Sequence, residues 1–196
     1  MPQSNALDLP ALELDEDGEA VGQRVIGARH AGASFEGCRL VDVELVRCDL
    51  AGCDFSSAHF ERVTFTDCRA TAAELGQATL HKVKFVDCRL QEANLRLAKV
   101  SAAHFDSCDL ARADWTAARL EDVAFTSCDL SDANFERVAC TQVDLRGARL
   151  DGVSGAGSLR GAVIAPDQLI GLAAGLADAV GITLVDRDDP AVRSAP

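Results

Sequence analysis

Val83-Lys84-Phe85-Val86-Asp87-Cys88-Arg89-Leu90-Gln91-Glu92-Ala93-Asn94-Leu95 repeats every five residues. Phe85, Leu90 and Leu95 are large and apolar, and two places before each sits a small residue, Val83, Cys88 or Ala93. Followed outward, the same rule runs from Phe35 to Leu150 without an insertion. Every residue at the small position (i−2) is Ala, Cys or Val, and only Ala70 and Cys140 are undersized at the large position (i). A repeat this regular decides the fold before any local propensity is considered.

Five residues suit neither an α-helix nor a flat strand. On a helix the apolar position drifts by roughly 140° per repeat, and on a strand successive large residues fall on opposite faces. The chain must therefore bend once per repeat. Residues i−2 and i point inward along a short extended segment, i−1 points outward, and i+1 with i+2 form the corner, where polar pairs such as Ser56-Ser57 and Asp106-Ser107 collect. A second period gives the number of bends per turn. Cys48, Cys68, Cys88, Cys108 and Cys128 recur every twenty residues, as do Phe65, Phe85, Phe105 and Phe125. Four sides then make one coil, and about six coils stacked at β-spacing give a rod on the order of 29 Å long.

The runs Ala93-Asn94-Leu95, Ala113-Asp114-Trp115 and Ala133-Asn134-Phe135 resemble the A(D/N)LXX motif of the pentapeptide repeat family, over roughly residues 30 to 165. The resemblance implies an all-β solenoid, a right-handed four-sided (quadrilateral) β-helix; its handedness comes from the family and not from the spacing. Residues 1–22 read as an acidic disordered arm, 23–165 as the β-helix, 166–185 as a C-terminal helix and short strand, and 186–196 as a polar tail. The helix is set by Leu169, Leu172, Ala173, Leu176 and Val180 at helical spacing, between Pro166 and Gly181. Between Leu150 and Leu159, across three glycines, the register slips by one.

Composition fits one domain of 196 residues, 48% hydrophobic, with no apolar run long enough for a helical membrane span. The acidic start is unlike a secretory signal, so the expected location is cytoplasmic. The eight cysteines fall at interior positions where Ala and Val replace them, which makes them free thiols packing as small hydrophobes. A row of parallel thiols does not converge as tetrahedral zinc requires, and a thiol or metal sensor is the least favoured function. The glycines around Gly155 and Gly157 lack the spacing and strand–turn–helix context of a dinucleotide loop. His30, His59, His81 and His104 read as outward or corner residues with no Ser, Asp or Cys to complete a triad. No catalytic residue, metal or cofactor is expected.

Charge is the remaining signal. Half of the net −12 lies in residues 1–20, which hold six acids and no base. One face of the rod carries Asp54, Glu74, Asn94, Asp114 and Asn134 at i−1, flanked by Glu36 and Glu136; the next carries Arg39, His59, Lys99 and Arg119. The acidic face, Glu36, Asp54, Glu74, Asp114 and Glu136, is the candidate partner site, weighed against simple turn chemistry of Asp and Asn. In length, uninterrupted repeat and terminal helix the chain resembles the mycobacterial quinolone-resistance members of the family, and it lacks the loop insertions of the plasmid-borne ones. That resemblance implies a protein that binds DNA gyrase as a DNA mimic, without touching nucleic acid or membrane, and a homodimer through Leu169, Leu172, Leu176 and Val180. A general interaction scaffold with another protein partner is the competing expectation.

Overall fold

A computed structural model describes residues 11–185. The chain winds into a β-solenoid of about 7 turns ending in one short helix. Its strands lie parallel and in register twenty residues apart. Glu19–Val21, Arg39–Val41, His59–Glu61 and Thr79–His81 form one side, continued by Lys99, Arg119 and Ala139 of three longer strands. Arg24–Ile26, Glu44–Val46, Thr64–Thr66 and Lys84–Val86 form the second side. The third and fourth sides are columns of single bridges, Arg29↔Asp49 through Asp129↔Arg149 and Ser34↔Asp54 through Asn134↔Ser154.

The corners explain the period. Residue i+2 takes a left-handed conformation on almost every side, as at Asp42, Arg62, Lys82 and Gln142, with φ of 54°, 55°, 55° and 53°. Such a conformation costs an ordinary L-residue on the order of 1 kcal/mol. Ladder bonds offset it: the Asp42 amide donates to the Glu61 carbonyl and the Arg62 amide to that of His81, both at 3.0 Å. After the third and fourth sides the bend is a hydrogen-bonded turn, in which Cys53 N–H donates to Leu50 O at 3.1 Å and Ala58 N–H to Phe55 O at 3.0 Å.

The interior is filled by stacking. Phe65, Phe85, Phe105 and Phe125 stack with nearly parallel rings, their centroids 4.6, 5.0 and 4.9 Å apart. Trp115 meets Phe105 and Phe125 edge-on, at 84° and 86°. Its indole N–H is buried without a hydrogen-bond partner.

Both ends depart from the expected boundaries. The solenoid begins earlier than residue 23, because Glu19–Val21 pairs with Arg39–Val41. Ahead of it Leu12 is buried over the first coil, its amide donating to His30 Nε2 at 3.0 Å. The Gln23 side chain imitates a strand edge there, accepting from Glu13 N–H at 3.2 Å and donating to Glu13 O at 2.6 Å. The extra coil at this end accounts for about 7 turns instead of about six. Residues 1–10 of the expected arm and 186–196 of the expected tail lie outside the described residues.

At the other end Ala162–Val163 pairs with Val143 and Asp144, nineteen residues away, so the slip of one residue is present. The helix Leu169–Ala179 follows the turn Pro166–Gln168. Gln168 Nε2 donates to the Leu145 carbonyl at 2.6 Å and to that of Ala148, satisfying acceptors the last coil would leave open. Glycine lets the helix sit close: a Cβ on Gly175 would lie 3.0 Å from Ala156 Cβ. Leu172 is buried and Leu176 half-buried in this contact, whereas Leu169 and Val180 face outward. The expected four-residue dimer contact is therefore split, because the helix uses its leucine and glycine face on its own coil. The expected strand at Ile182–Val185 is absent; the segment past Gly181 is exposed.

Ala70 occupies a place held by leucine one coil away on either side, at Leu50 and Leu90, and is slightly more open than both. Ala70→Leu should raise the melting temperature by a few degrees, corresponding to about 1 kcal/mol of recovered core packing. A fall on thermal denaturation would show that the coil has already closed over the shorter side chain.

Candidate partner-binding face

The acidic residues gather on the fourth side of the rod. The bridge column Ser34, Asp54, Glu74, Asn94, Asp114, Asn134, Ser154 runs the length of the solenoid. Glu36 and Glu136 occupy the i+1 position of the same side. Five carboxylates are thus spread over six rungs, about 24 Å from end to end at strand spacing. The expected site residues Glu36, Asp54, Glu74, Asp114 and Glu136 share one face.

Local hydrogen bonding shapes that face. Asp54 Oδ1 accepts from Ser56 N–H at 2.9 Å, and Asn94, Asp114 and Asn134 accept from the amide two residues on, at 3.1, 2.9 and 2.9 Å. Each side chain closes the corner that follows it, which is why Asp and Asn recur at i−1. Contacts also run between rungs: Asn94 Nδ2 donates to Glu74 Oε2 at 2.6 Å, and Arg96 Nη1 bonds Asp114 Oδ2 at 3.0 Å. The Ser56 hydroxyl and amide hold the Asp54 carboxyl below its ordinary range. For Asp114 burial works upward, but bonds from Thr116 and Arg96 outweigh it and the net shift is down. Both are carboxylates at neutral pH. Arg96, an i+1 residue the charge reading passed over, interrupts the row at its centre.

The neighbouring first side is of opposite character, with Arg39, His59, Lys99 and Arg119 in one register column. Here the structure corrects two histidine expectations. His30 is not a free surface residue; it is half-buried beneath Leu12, with its ring edge-on to Phe35. His81 does meet a serine, its Nδ1 lying 2.9 Å from Ser101 Oγ. The twenty-residue period contains that contact, since both are i+1 residues of the same side on adjacent coils. The Glu61 carboxylate paired in register with His81 is bonded to Arg39 and Arg62 instead, so the pair has no acid behind it.

The cysteine column is interior. Cys68, Cys88, Cys108 and Cys128 donate to the Leu45, Phe65, Phe85 and Phe105 carbonyls at 3.4 to 3.5 Å. Contact with the next thiol and burial push Cys88 and Cys108 up to about 12, and burial alone pushes Cys38 and Cys140 up to about 11. Cys128, at the end of the row, shifts down because the neighbouring Cys108 thiol outweighs burial. Among the described residues no three His, Cys, Asp or Glu side chains group as metal ligands.

The family model described as a pentapeptide repeat region matches residues 38–115 and 71–135. This chain belongs to the pentapeptide repeat family. Among solved structures, full-length QnrB1, a plasmid-mediated fluoroquinolone resistance protein, is 20% identical over 84% of this chain and 100% of that one, with a TM-score of 0.47. HetL, a pentapeptide repeat protein of heterocyst differentiation regulation from the cyanobacterium Nostoc, is 22% identical over 74% and 84%, with a TM-score of 0.32. A pentapeptide repeat protein of the Arabidopsis thaliana thylakoid lumen is 19% identical over 77% and 74%, at 0.33. At these values the likenesses carry no argument about a partner. No curated protein matches. Among the described residues no helix is long and apolar enough to cross a membrane.

In this pentapeptide repeat protein, native-state alkylation followed by mass spectrometry should label Cys140 first, the one thiol that is only half-buried, and the other seven only on unfolding. Rapid modification of Cys88 or Cys108 in folded protein would contradict their inward placement.

Proposed function

We propose that this pentapeptide repeat protein is a non-catalytic binding rod whose acidic face enters a basic, DNA-binding groove of a protein partner, with DNA gyrase the partner to test first. The observation that carries this reading is the alignment of Glu36, Asp54, Glu74, Asp114 and Glu136 along one straight side. A rigid row of carboxylates offers such a groove negative charge where phosphates would lie. The charge spacing, at most one per rung of about 4.8 Å with none on the rung of Asn94, is looser than the roughly 3.4 Å of one DNA strand, and the Arg96–Asp114 pair loosens it further. The resemblance of length, uninterrupted repeat and terminal helix to the quinolone-resistance members of the family is what puts a type II topoisomerase before other partners. The second reading, a scaffold for a different protein, is favoured by the corner-closing bonds of Asp54, Asp114 and the asparagines, which account for those residues without a partner.

Substituting Asp54→Asn, Glu74→Gln and Asp114→Asn together keeps acceptors at the corners and removes three charges. The folded content should be unchanged, and inhibition of gyrase supercoiling should weaken about tenfold or more and lose much of its salt dependence. Arg96→Ser should act in the opposite direction, since it frees Asp114. Wild-type protein without effect on supercoiling, or a triple variant equal to it, would leave the scaffold reading.

The rod's C-terminal end supports a homodimer, with the contact moved to the residues that remain outside. Leu169, Ile170, Val180, Ile182 and Leu184 are each at least half exposed, apolar surface of the kind a two-fold contact covers. Ile170→Asp with Val180→Asp should convert a sedimenting dimer to monomer at unchanged melting temperature, while Leu172→Asp should lower that temperature by detaching the helix. A wild-type monomer at micromolar concentration would remove the dimer from the proposal.

A further inference from the structure

A second surface lies on the side next to the acidic one. Many arginines of the rod are held by a carboxylate on the adjoining coil, as Arg62 is by Asp42 and Arg112 by Glu92. Lys99, Arg119 and Arg137 are not; among the described residues none of the three makes an ion pair. The register Lys99↔Arg119↔Ala139 places two of these cations on adjacent rungs and a methyl group on the third. The corner ahead of them reads Leu97, Ala117, Arg137, all left-handed, with φ of 59°, 58° and 58°. Because Ala117 and Ala139 are short, the longer side chains stand around a trough of about 900 Å³ that opens to solvent. Its remaining charged rim residue is Glu121.

Leu97 is the informative residue. Among the non-glycine left-handed corners it is the one large apolar side chain, where the others are polar, charged or alanine. It is 55% exposed. A leucine there has both the strain of the conformation and apolar surface in water, a local violation that marks functional positions.

We propose that this trough docks an extended acidic segment of a partner protein, with an apolar side chain of that segment against Leu97 and the alanine floor and flanking carboxylates on Lys99, Arg119 and Arg137. Unpaired cations on a chain of net −12 select for short, local negative charge. A phosphate polymer fits less well. All eight phenylalanines and Trp115 are interior and the chain has no tyrosine, so no aromatic surface is offered to bases. Glu121 and the overall negative field also oppose a long polyanion. The inference does not depend on the acidic face, which carries the opposite charge on another side.

The test is fluorescence anisotropy of a labelled peptide of alternating glutamate and leucine against the full chain. Binding is expected, with salt weakening it. Lys99→Glu with Arg119→Glu should reduce affinity about tenfold or more, Leu97→Ser should reduce it separately, and the milder Lys99→Gln with Arg119→Gln should give an intermediate loss with unchanged circular dichroism. The triple variant of the acidic face should bind as wild type. The proposal is overturned by no binding to wild type, by equal binding to the charge-reversed variant, or by tighter binding of a single-stranded oligonucleotide of equal charge. It is also overturned if the peptide binds only after removal of residues 186–196, which would assign the trough to the chain's own end.

Discussion

The in-register stacking of coils at twenty-residue intervals is the constraint from which the remainder follows. Most backbone amides along a side reach a carbonyl of the preceding or the following coil, so every side chain sits directly above a homologous one. A phenylalanine is then stacked on a phenylalanine, as from Phe65 to Phe125, and a thiol on a thiol. The interior is too narrow for anything but one large and one small residue per side. That narrowness restricts the small position to Ala, Cys and Val, and it explains cysteines that are abundant in the interior.

Surface chemistry is governed by the same stacking. Because columns are straight, charges are either repeated or countered along them. Asp42 and Arg62 are twenty residues apart and bonded, as are Glu92 and Arg112. The acidic side is unusual in that asparagine and glutamate answer each other there, through Asn94 and Glu74, leaving carboxylates without cations on most rungs. The adjoining side has nearly the reverse property, three unpaired cations and the single carboxylate of Glu121 around a shallow trough. Two sides of one rod, a quarter turn apart, thus present opposite charge.

The sequence made the coil, its four sides and its interior columns legible, because an unbroken period over more than a hundred residues leaves one backbone path. Its ends were less legible. Leu12 covers the first coil although nothing in its spacing belongs to the repeat, Gln23 stands in the column of Val43 but is not one of the small apolar types, and the acidic residues between them read as a disordered arm. The helix was visible from Leu169, Leu172 and Leu176, yet which of its faces would be covered depended on Gly171 and Gly175, whose lack of a side chain shows in no apolar pattern. The acidic column was found from spacing alone, while the Arg96–Asp114 bond joins residues of two columns that were read separately and the His81–Ser101 contact joins adjacent coils within one column. Contacts between coils require the two periods to be read together.

A coil length of twenty also fixes what kinds of length change the rod tolerates. Removing or adding a whole coil preserves every column and shifts one end of the rod relative to the other by a single rung. Removing five residues keeps each interior position filled, since all four sides obey the same small-and-large rule, but it turns everything downstream by a quarter revolution. Asp114 and Glu136 would then leave the line of Asp54 and Glu74, and the terminal helix would project from a different side. The interior is indifferent to such an edit and the exterior is not, so in this architecture surface alignment and core integrity are inherited through separate periodicities.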